Sequence, residues 1–264
     1  MFDIFSTPDA WVALLTLTFL EIVLGIDNIV FISITANKLP AQQQRKATNI
    51  GLLLAMVQRI ILLLGVSFLV GLKAPFYQIT TSWISAGISW QSIILFAGGL
   101  FLLYKSTSEI HEKVDIPDHE EKQLRAKKIT SLSRAVFQIV IIDFIFSIDS
   151  ILTAVGMTNG IGEKHQDALI LMIIAVVISI IIMMTFANPI RKFINNHPSV
   201  QLLALSFLIL IGFMLIAEAA HLSHTRVFDQ EIGAIPKGYL YFAIAFSLLV
   251  EFLNMRMRKN MRKD

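Results

Sequence analysis

The sequence contains no cysteine among its 264 residues, and only 16% of them are charged. The absence of cysteine excludes disulfide bonds, thiolate metal sites and a cysteine nucleophile. Soluble domains carry about 25% charged residues, so the low charge, together with 55% apolar residues, indicates a membrane protein. The 22 Lys and Arg exceed the 19 Asp and Glu by only 3 and lie mostly between apolar segments. We therefore expect a lipid bilayer as partner and no nucleic acid.

Seven apolar segments come near the roughly 20 residues that a helix needs to cross a bilayer. They lie at about 10–36, 49–71, 91–105, 134–157, 168–188, 200–218 and 238–254. Positive residues stay on the cytoplasmic side, and the intervening segments alternate in Lys and Arg content. The positive set, with 17 of them, comprises 37–48, 105–134, 189–199 and 255–264, whereas the opposite set holds 4. The sequence therefore predicts an all-α polytopic membrane protein with its N-terminus outside and its C-terminus in the cytoplasm.

One motif occurs twice, in spans that run in opposite directions. The first copy is Glu21-x-x-x-Gly25-Ile26-Asp27-Asn28-Ile29, and the second, 122 residues later, is Asp143-x-x-x-Ser147-Ile148-Asp149-Ser150-Ile151. A weaker match pairs the segments that begin at Gly99 and Gly212. Inverted repeats of three helices are typical of secondary transporters, which bind ions at the repeat interface. We predict a single transmembrane domain over 1–264, with repeat 1 at 10–105, a cytoplasmic connector at 106–133, repeat 2 at 134–218 and a seventh helix at 238–254.

Four acids of this repeat lie deep inside predicted spans: Glu21, Asp27, Asp143 and Asp149. Each costs about 2.5 to 3.5 kcal/mol on insertion scales unless a partner, water or an ion offsets it. In antiparallel helices Glu21 comes level with Asp149, and Asp27 with Asp143, which predicts two tiers about 9 Å apart. A local unwinding at Gly25 and Ser147 would turn both tiers toward one cavity.

These acids predict a cation site. Its expected ligands are Glu21, Asp27, Asn28, Asp143, Asp149 and Ser150, and Arg59 in the second span is the expected charge partner of an acid. Four negative charges against one positive leave a deficit of three, which a cation would fill. Oxygen ligands without cysteine favour Mg²⁺, Ca²⁺ or Mn²⁺ over Cu⁺. Proton coupling is feasible because neighbouring carboxylates favour retention of a proton. The metal is expected as substrate, and no prosthetic group is expected.

Histidine and acid clusters outside the spans have a plainer interpretation. They comprise His111 to Glu121 in the connector, His165 with Glu163 and Asp167, and His221 and His224 with Asp229 and Glu231. Mixed charges at this density are more often solvated loops than metal sites. We therefore expect loops, and metal binding there stays open.

The two motif copies, at 21–29 and 143–151, resemble the paired signature of the TerC family of integral membrane proteins. The resemblance continues through His197-Pro198-Ser199, the run from Leu205 to Leu208, and Pro236-Lys237-Gly238-Tyr239, so it covers nearly the whole chain. It implies a multi-pass bacterial inner-membrane protein of the wider LysE-like grouping. Members similar to this chain are linked to Mn²⁺ export and to metal supply for secreted proteins, so export of Mn²⁺ by alternating access is the expected function. Contacts with a second copy or with the secretion machinery are left open.

Two other classes stay open. Paired intramembrane aspartates could form an aspartyl protease dyad, but the Gly-x-Gly-Asp context is absent and four acids exceed what a dyad needs. A membrane assembly factor or chaperone could instead use the acids as a structural network. We expect a transporter and no enzyme.

Overall fold

The structure, a computed structural model, describes residues 5, 7–81, 83–114, 131–158 and 165–261. Within these ranges it does not describe the side chains at positions 24, 26, 27, 149, 165, 166 and 258–261.

Long helices dominate the described part of the chain. The helices are α1 (Pro8–Asn37), α2 (Ala41–Leu64), α3 (Val66–Gly71), α4 (Trp90–Val114), α5 (Leu132–Thr158), α6 (His165–Asn196), α7 (Pro198–Leu222) and α8 (Lys237–Met261). The strands are β1 (Pro75–Thr80), β2 (Ile84–Ser89), β3 (Arg226–Val227) and β4 (Gln230–Glu231). Pro8 and Pro198 occupy first-turn positions, where the missing amide proton of proline costs nothing.

Seven of these helices are long and apolar enough to cross a membrane, counted over the described residues. The prediction of an all-α membrane protein with seven spans is therefore confirmed. The helix boundaries differ from the predicted ones where polar residues add helical turns to an apolar span. In place of one span at 49–71, α2 starts at Ala41 and ends at Leu64, and Gly65 separates it from the short α3.

The predicted connector is partly helical. Helix α4 continues to Val114, so residues 106–114 belong to it, while 115–130 lie outside the described residues. The ion pair between Lys105 and Glu109, at 2.7 Å, spans one turn of this extension. Spacing of four residues places such charges on one helix face, where they favour the helix over a loop.

The chain divides into two compact units, each drawing on both halves of the sequence. Unit 1 covers 1–72 and 119–193, and unit 2 covers 73–118 and 194–264. Unit 1 thus contains α1, α2, α3, α5 and most of α6. In it α5 packs against α1 and α2, and the apolar cluster of Ala36, Leu39, Ala47 and Ala135 joins the three near their polar ends.

Unit 2 is built on the pairing of α4 with α7. At their crossing, a Cβ added to Gly99 would lie 2.6 Å from the carbonyl oxygen of Gly212, and one added to Gly212 would lie 3.0 Å from that of Gly99. Small residues let membrane helices approach this closely. The two glycines of the weaker sequence match therefore pack against each other.

A four-stranded antiparallel sheet closes one end of unit 2, in the order β1-β2-β3-β4. The Gly87 amide donates to the Ser223 carbonyl at 2.7 Å, which ties the sheet to the end of α7. Phe76 stacks on Trp90 with ring centroids 5.1 Å apart. Aromatic rings of this kind are enriched where a helix meets the membrane–water interface.

Candidate functional site

The motif acids lie on unbroken helices. Both Gly25 and Ser147 have helical backbone, within α1 and α5. The expected unwinding at these positions is wrong for the described structure, because Gly25 serves packing instead. Because Gly25 has no side chain, there is room for the Met183 thioether of α6. A Cβ at position 25 would overlap with that sulfur atom.

Arg59 of α2 is the centre of a buried charged network in unit 1. Its side chain is fully buried, at 1% exposure for the residue. The guanidinium forms an ion pair with Glu21 of α1 through Nη1 and another with Asp143 of α5 through Nη2. One side chain therefore joins three helices by charge-assisted hydrogen bonds, which are the strong class.

Asp143 has both of its oxygens fully used. Its Oδ1 accepts from Arg59 Nη2 at 2.7 Å and from Asn28 Nδ2 at 2.9 Å, while its Oδ2 accepts from Arg59 Nε at 3.1 Å and from the Ser147 hydroxyl at 3.1 Å. A carboxylate offers about four acceptor positions. In this conformation Asp143 has no free position for a further ligand.

Two contacts between α1 and α5 are counterparts of each other under the offset of the sequence motif. Asn28 Nδ2 donates to Asp143, and the Ser150 hydroxyl lies within hydrogen-bonding range of the Glu21 carboxylate. In the repeat, Asn28 aligns with Ser150, and Glu21 with Asp143. The later residue of each helix meets the earlier residue of the other, so the two helices cross in antiparallel directions at this point.

Of the predicted site residues, the structure brings together Glu21, Asn28, Arg59, Asp143 and Ser150. Asp27 and Asp149 lie within α1 and α5, but their side chains are outside the description. Among the described residues, no group of three or more His, Asp or Glu side chains could hold a metal ion. The carboxylates of Asp27 and Asp149 are not among these described groups.

Three buried polar atoms on the helices that carry Glu21 and Arg59 lack a hydrogen-bond partner among the described residues: Oγ1 of Thr18, Oδ1 of Asn28 and Nε2 of Gln58. Asn28 is only 3% exposed. An unpaired polar atom in such a place costs about 1 to 3 kcal/mol. The Asn28 oxygen can accept a hydrogen bond or coordinate a cation.

A cavity of about 270 Å³ opens between the start of α1 and the end of α5. Its lining includes the polar residues Asp9, Thr16 and Thr158, and also Leu17, which is one helical turn from Glu21. Sequence reasoning missed these residues, since the cavity depends on the pairing of helices far apart in sequence. No spacing pattern could have identified it.

The sequence also gave no signal for a second polar cluster in unit 1. Arg191 of α6 donates through Nη1 to Gln44 of α2 and through Nη2 to Asn188 at 3.4 Å. Arg191 is 8% exposed and follows Pro189, which α6 accommodates without ending. The predicted span ended at residue 188, so the helical position of Arg191 was not expected.

Seven candidate spans and a charged network buried inside one unit define the class of an integral membrane protein. The sequence model described as "Integral membrane protein TerC family" matches residues 6–264, and the chain belongs to that family. The resemblance noted in the sequence is thereby confirmed.

Named relatives match over nearly their full length or over part of it. The UPF0053 inner membrane protein YgdQ of Escherichia coli is 44% identical over 261 residues, which cover 98% of this chain and 99% of the relative. A UPF0053 protein of Haemophilus influenzae is 41% identical over 99% of this chain and 100% of its own length. The inner membrane protein YoaE of Escherichia coli is 42% identical over 96% of this chain but only 44% of its own length. No solved structure matches the chain.

The relatives' names and the seven spans together identify a multi-pass protein of the bacterial inner membrane, as predicted. The wider LysE-like grouping stays a prediction.

Proposed function

We propose that the protein transports a divalent metal cation, with Mn²⁺ as the favoured substrate, through a site between α1 and α5 in unit 1. The observation that carries this proposal is the pair of equivalent contacts, Asn28 with Asp143 and Ser150 with Glu21, around one buried arginine. Such pseudo-symmetry is expected where two inverted repeats meet, which is where secondary transporters bind ions. The choice of Mn²⁺ rests on the family resemblance.

Charge supports a cation as the substrate. Arg59 offsets one of the two charges of Glu21 and Asp143, and the same two helices carry Asp27 and Asp149. Buried net negative charge inside a membrane is costly. A bound divalent cation would lower this cost, and hard divalent ions accept carboxylate and amide oxygens.

The carboxylates have different roles in the proposal. Hydrogen bonds from Arg59, Asn28 and Ser147 use every acceptor position of the Asp143 carboxylate. We therefore assign the ligand role first to Asp27, Asp149 and the unpaired oxygen of Asn28. Glu21 and Asp143 hold Arg59 in this conformation. The cavity lined by Asp9 and Thr16 supports an approach along α1 toward the site.

Alternating access of the two repeats, with protons returning in exchange, is the proposed mechanism. Two features support the repeat: the packing of the matching glycines Gly99 and Gly212, and the way each unit takes helices from both halves. Export rather than import, and the absence of enzymatic activity, are part of the proposal.

The experiment is Mn²⁺ flux in liposomes reconstituted with purified protein. Asp27→Asn and Asp149→Asn should each abolish flux while the variants still insert and fold. Asp229→Asn is the matched control, because it removes the same charge from an exposed loop at a φ of 60° that asparagine adopts readily. Wild-type flux in both Asp27→Asn and Asp149→Asn would refute the site.

A membrane assembly factor is the second candidate, favoured by one observation. Every acceptor position of Asp143 is used by Arg59, Asn28 and Ser147, as a purely structural network would require. The same flux assay separates the candidates. An assembly factor moves no ion, and a protease would cleave a membrane substrate without ion flux.

A further inference from the structure

The orientation of the Asn28 amide is fixed by chemistry. The atom 2.9 Å from Asp143 Oδ1 must be the amide nitrogen, because an ionised carboxylate only accepts hydrogen bonds. The amide oxygen therefore points away from Asp143. It is buried and has no hydrogen-bond partner among the described residues.

Asp143 is itself held in place. Arg59 donates a hydrogen bond to each of its oxygens, from Nε at 3.1 Å and from Nη2 at 2.7 Å, and the Ser147 hydroxyl donates a third at 3.1 Å. Arg59 is anchored in turn by Glu21 on α1. A planar guanidinium that bonds a carboxylate at two points fixes its direction as well as its charge.

The counterpart position on α5 carries a hydroxyl in place of an amide. Ser150, which aligns with Asn28, carries a hydroxyl that can rotate and can both donate and accept. Its hydroxyl lies 3.3 Å from the Ser147 carbonyl. Of the two residues, only Asn28 has a separate acceptor atom whose direction is set by the bond that its donor makes to Asp143.

We propose that Arg59 and Asp143 are positioning residues: they fix the Asn28 amide so that its Oδ1 is presented to the divalent cation as a neutral ligand. This inference rests on the proposed function. In this proposal Asp143 orients the Asn28 ligand and does not itself bind the ion. Arg59 acts through its two hydrogen bonds to Asp143, which a lysine with the same charge could not make. Partners that orient metal ligands typically contribute 10- to 100-fold to metal affinity.

The test uses Mn²⁺ flux, with KM and the maximal rate measured separately, and Mn²⁺ binding to the detergent-solubilised protein, measured by the loss of the free-ion electron paramagnetic resonance signal. Asn28→Leu, which removes the oxygen, and Arg59→Lys, which keeps the charge without the two-point grip, should each raise KM and weaken binding by about tenfold or more. Ser179→Ala is the control: it removes a hydroxyl that is buried in the same unit and donates to Val176. Its KM should not change.

An exchange of the two side chains distinguishes positioning from direct ligation. Asp143→Asn alone lets the amides pair in either orientation, and Asn28→Asp alone places two carboxylates together, so both should raise KM. In the double variant Asn28→Asp/Asp143→Asn, the amide at 143 can donate to the carboxylate at 28, but its nitrogen then takes the place of Oδ1 and faces Arg59 Nη2, so one of the two bonds from Arg59 is lost. KM should therefore recover only partly, to a value between those of the single variants and wild type.

Three results decide the matter. Absence of divalent-ion flux in the wild type refutes the proposed function itself. Wild-type flux with an unchanged KM in Asn28→Leu or Arg59→Lys refutes only the positioning role. A double variant whose KM is no lower than that of either single variant, although its thermal unfolding matches wild type, also refutes it, because the contact between an amide and a carboxylate at these positions would then contribute nothing to ion binding.

Discussion

Asn28 and Asp143 are 115 positions apart in sequence, yet a hydrogen bond of 2.9 Å joins their side chains inside the membrane-spanning helices α1 and α5. Ser150 and Glu21 form the equivalent contact with the roles of the helices exchanged. Arg59 has no such equivalent, since α6 carries no charged residue between Asp167 and Arg191. The site is thus symmetric in its carboxylates and asymmetric in its single positive charge.

Replacing Arg59 by methionine should destabilise the protein strongly. The substitution keeps a similar volume but leaves Glu21 and Asp143 buried without their shared cation. Removing one partner of a buried ion pair costs about 3 to 5 kcal/mol. Thermal unfolding in detergent, followed by circular dichroism, should therefore show a large fall in the midpoint of Arg59→Met.

The triple variant Arg59→Met/Glu21→Gln/Asp143→Asn is the internal check on that loss. It removes the two stranded charges, and replacing a whole buried ionic group by neutral residues is often close to neutral in stability. We expect most of the lost stability to return. If Arg59→Met unfolds at the wild-type midpoint, the network does not hold the three helices together.

The sequence could predict the membrane class, the seven spans and the acids of the repeat, because burial in lipid imposes length, composition and charge rules that a single chain displays. It could also indicate that Arg59 belongs among those acids, since an unpaired arginine within a span is costly. It could not show that Arg59 binds Glu21 and Asp143 together. That result depends on how α2 packs beside α1 and α5, which is a tertiary property.

The expected unwinding at Gly25 failed for a related reason. A glycine inside a span is compatible with a break, a kink or close packing, and only the neighbouring helix decides among them. Met183 occupies the space beside Gly25, so the glycine accommodates a side chain while α1 stays continuous. The same logic makes glycines at helix crossings testable.

Gly99→Ala should destabilise unit 2. The new methyl group would lie 2.6 Å from the Gly212 carbonyl oxygen and 2.7 Å from Ile216, so α4 and α7 would have to separate. Forcing an extra methyl group into packed space typically costs about 1 to 3 kcal/mol. Gly156→Ala is the matched control, because nothing lies within 4 Å of its Cβ position and alanine favours the helix by up to about 1 kcal/mol. Thermal unfolding in detergent should rank the control at or above wild type and Gly99→Ala below it; the reverse order would refute the close crossing.

Arg191→Met tests the polar link between α6 and α2. Its guanidinium donates to Gln44 and Asn188, and hydrogen bonds that involve a charged group contribute about 1.5 to 3 kcal/mol each. We expect a lower unfolding midpoint, smaller in effect than that of Arg59→Met. Lys192→Met removes the same charge one position later on an exposed surface and should leave the midpoint within the error of the measurement. Equal midpoints for the two variants would show that the contact with Gln44 contributes nothing.

Single cysteines can test the orientation of the chain without any background labelling, because the sequence contains no cysteine of its own. Gln78→Cys places a thiol on the exposed strand β1, and Gln43→Cys places one on the exposed first turn of α2. The excess of Lys and Arg in 37–48 and 105–134 predicts that the Gln43 position faces the cytoplasm and the Gln78 position the outside. A membrane-impermeant maleimide applied to intact spheroplasts should therefore label only the Gln78→Cys variant, and permeabilisation should make the Gln43→Cys variant react equally. The opposite labelling pattern would show that the chain has the inverted topology. The cavity beside Asp9 would then open toward the opposite side of the membrane.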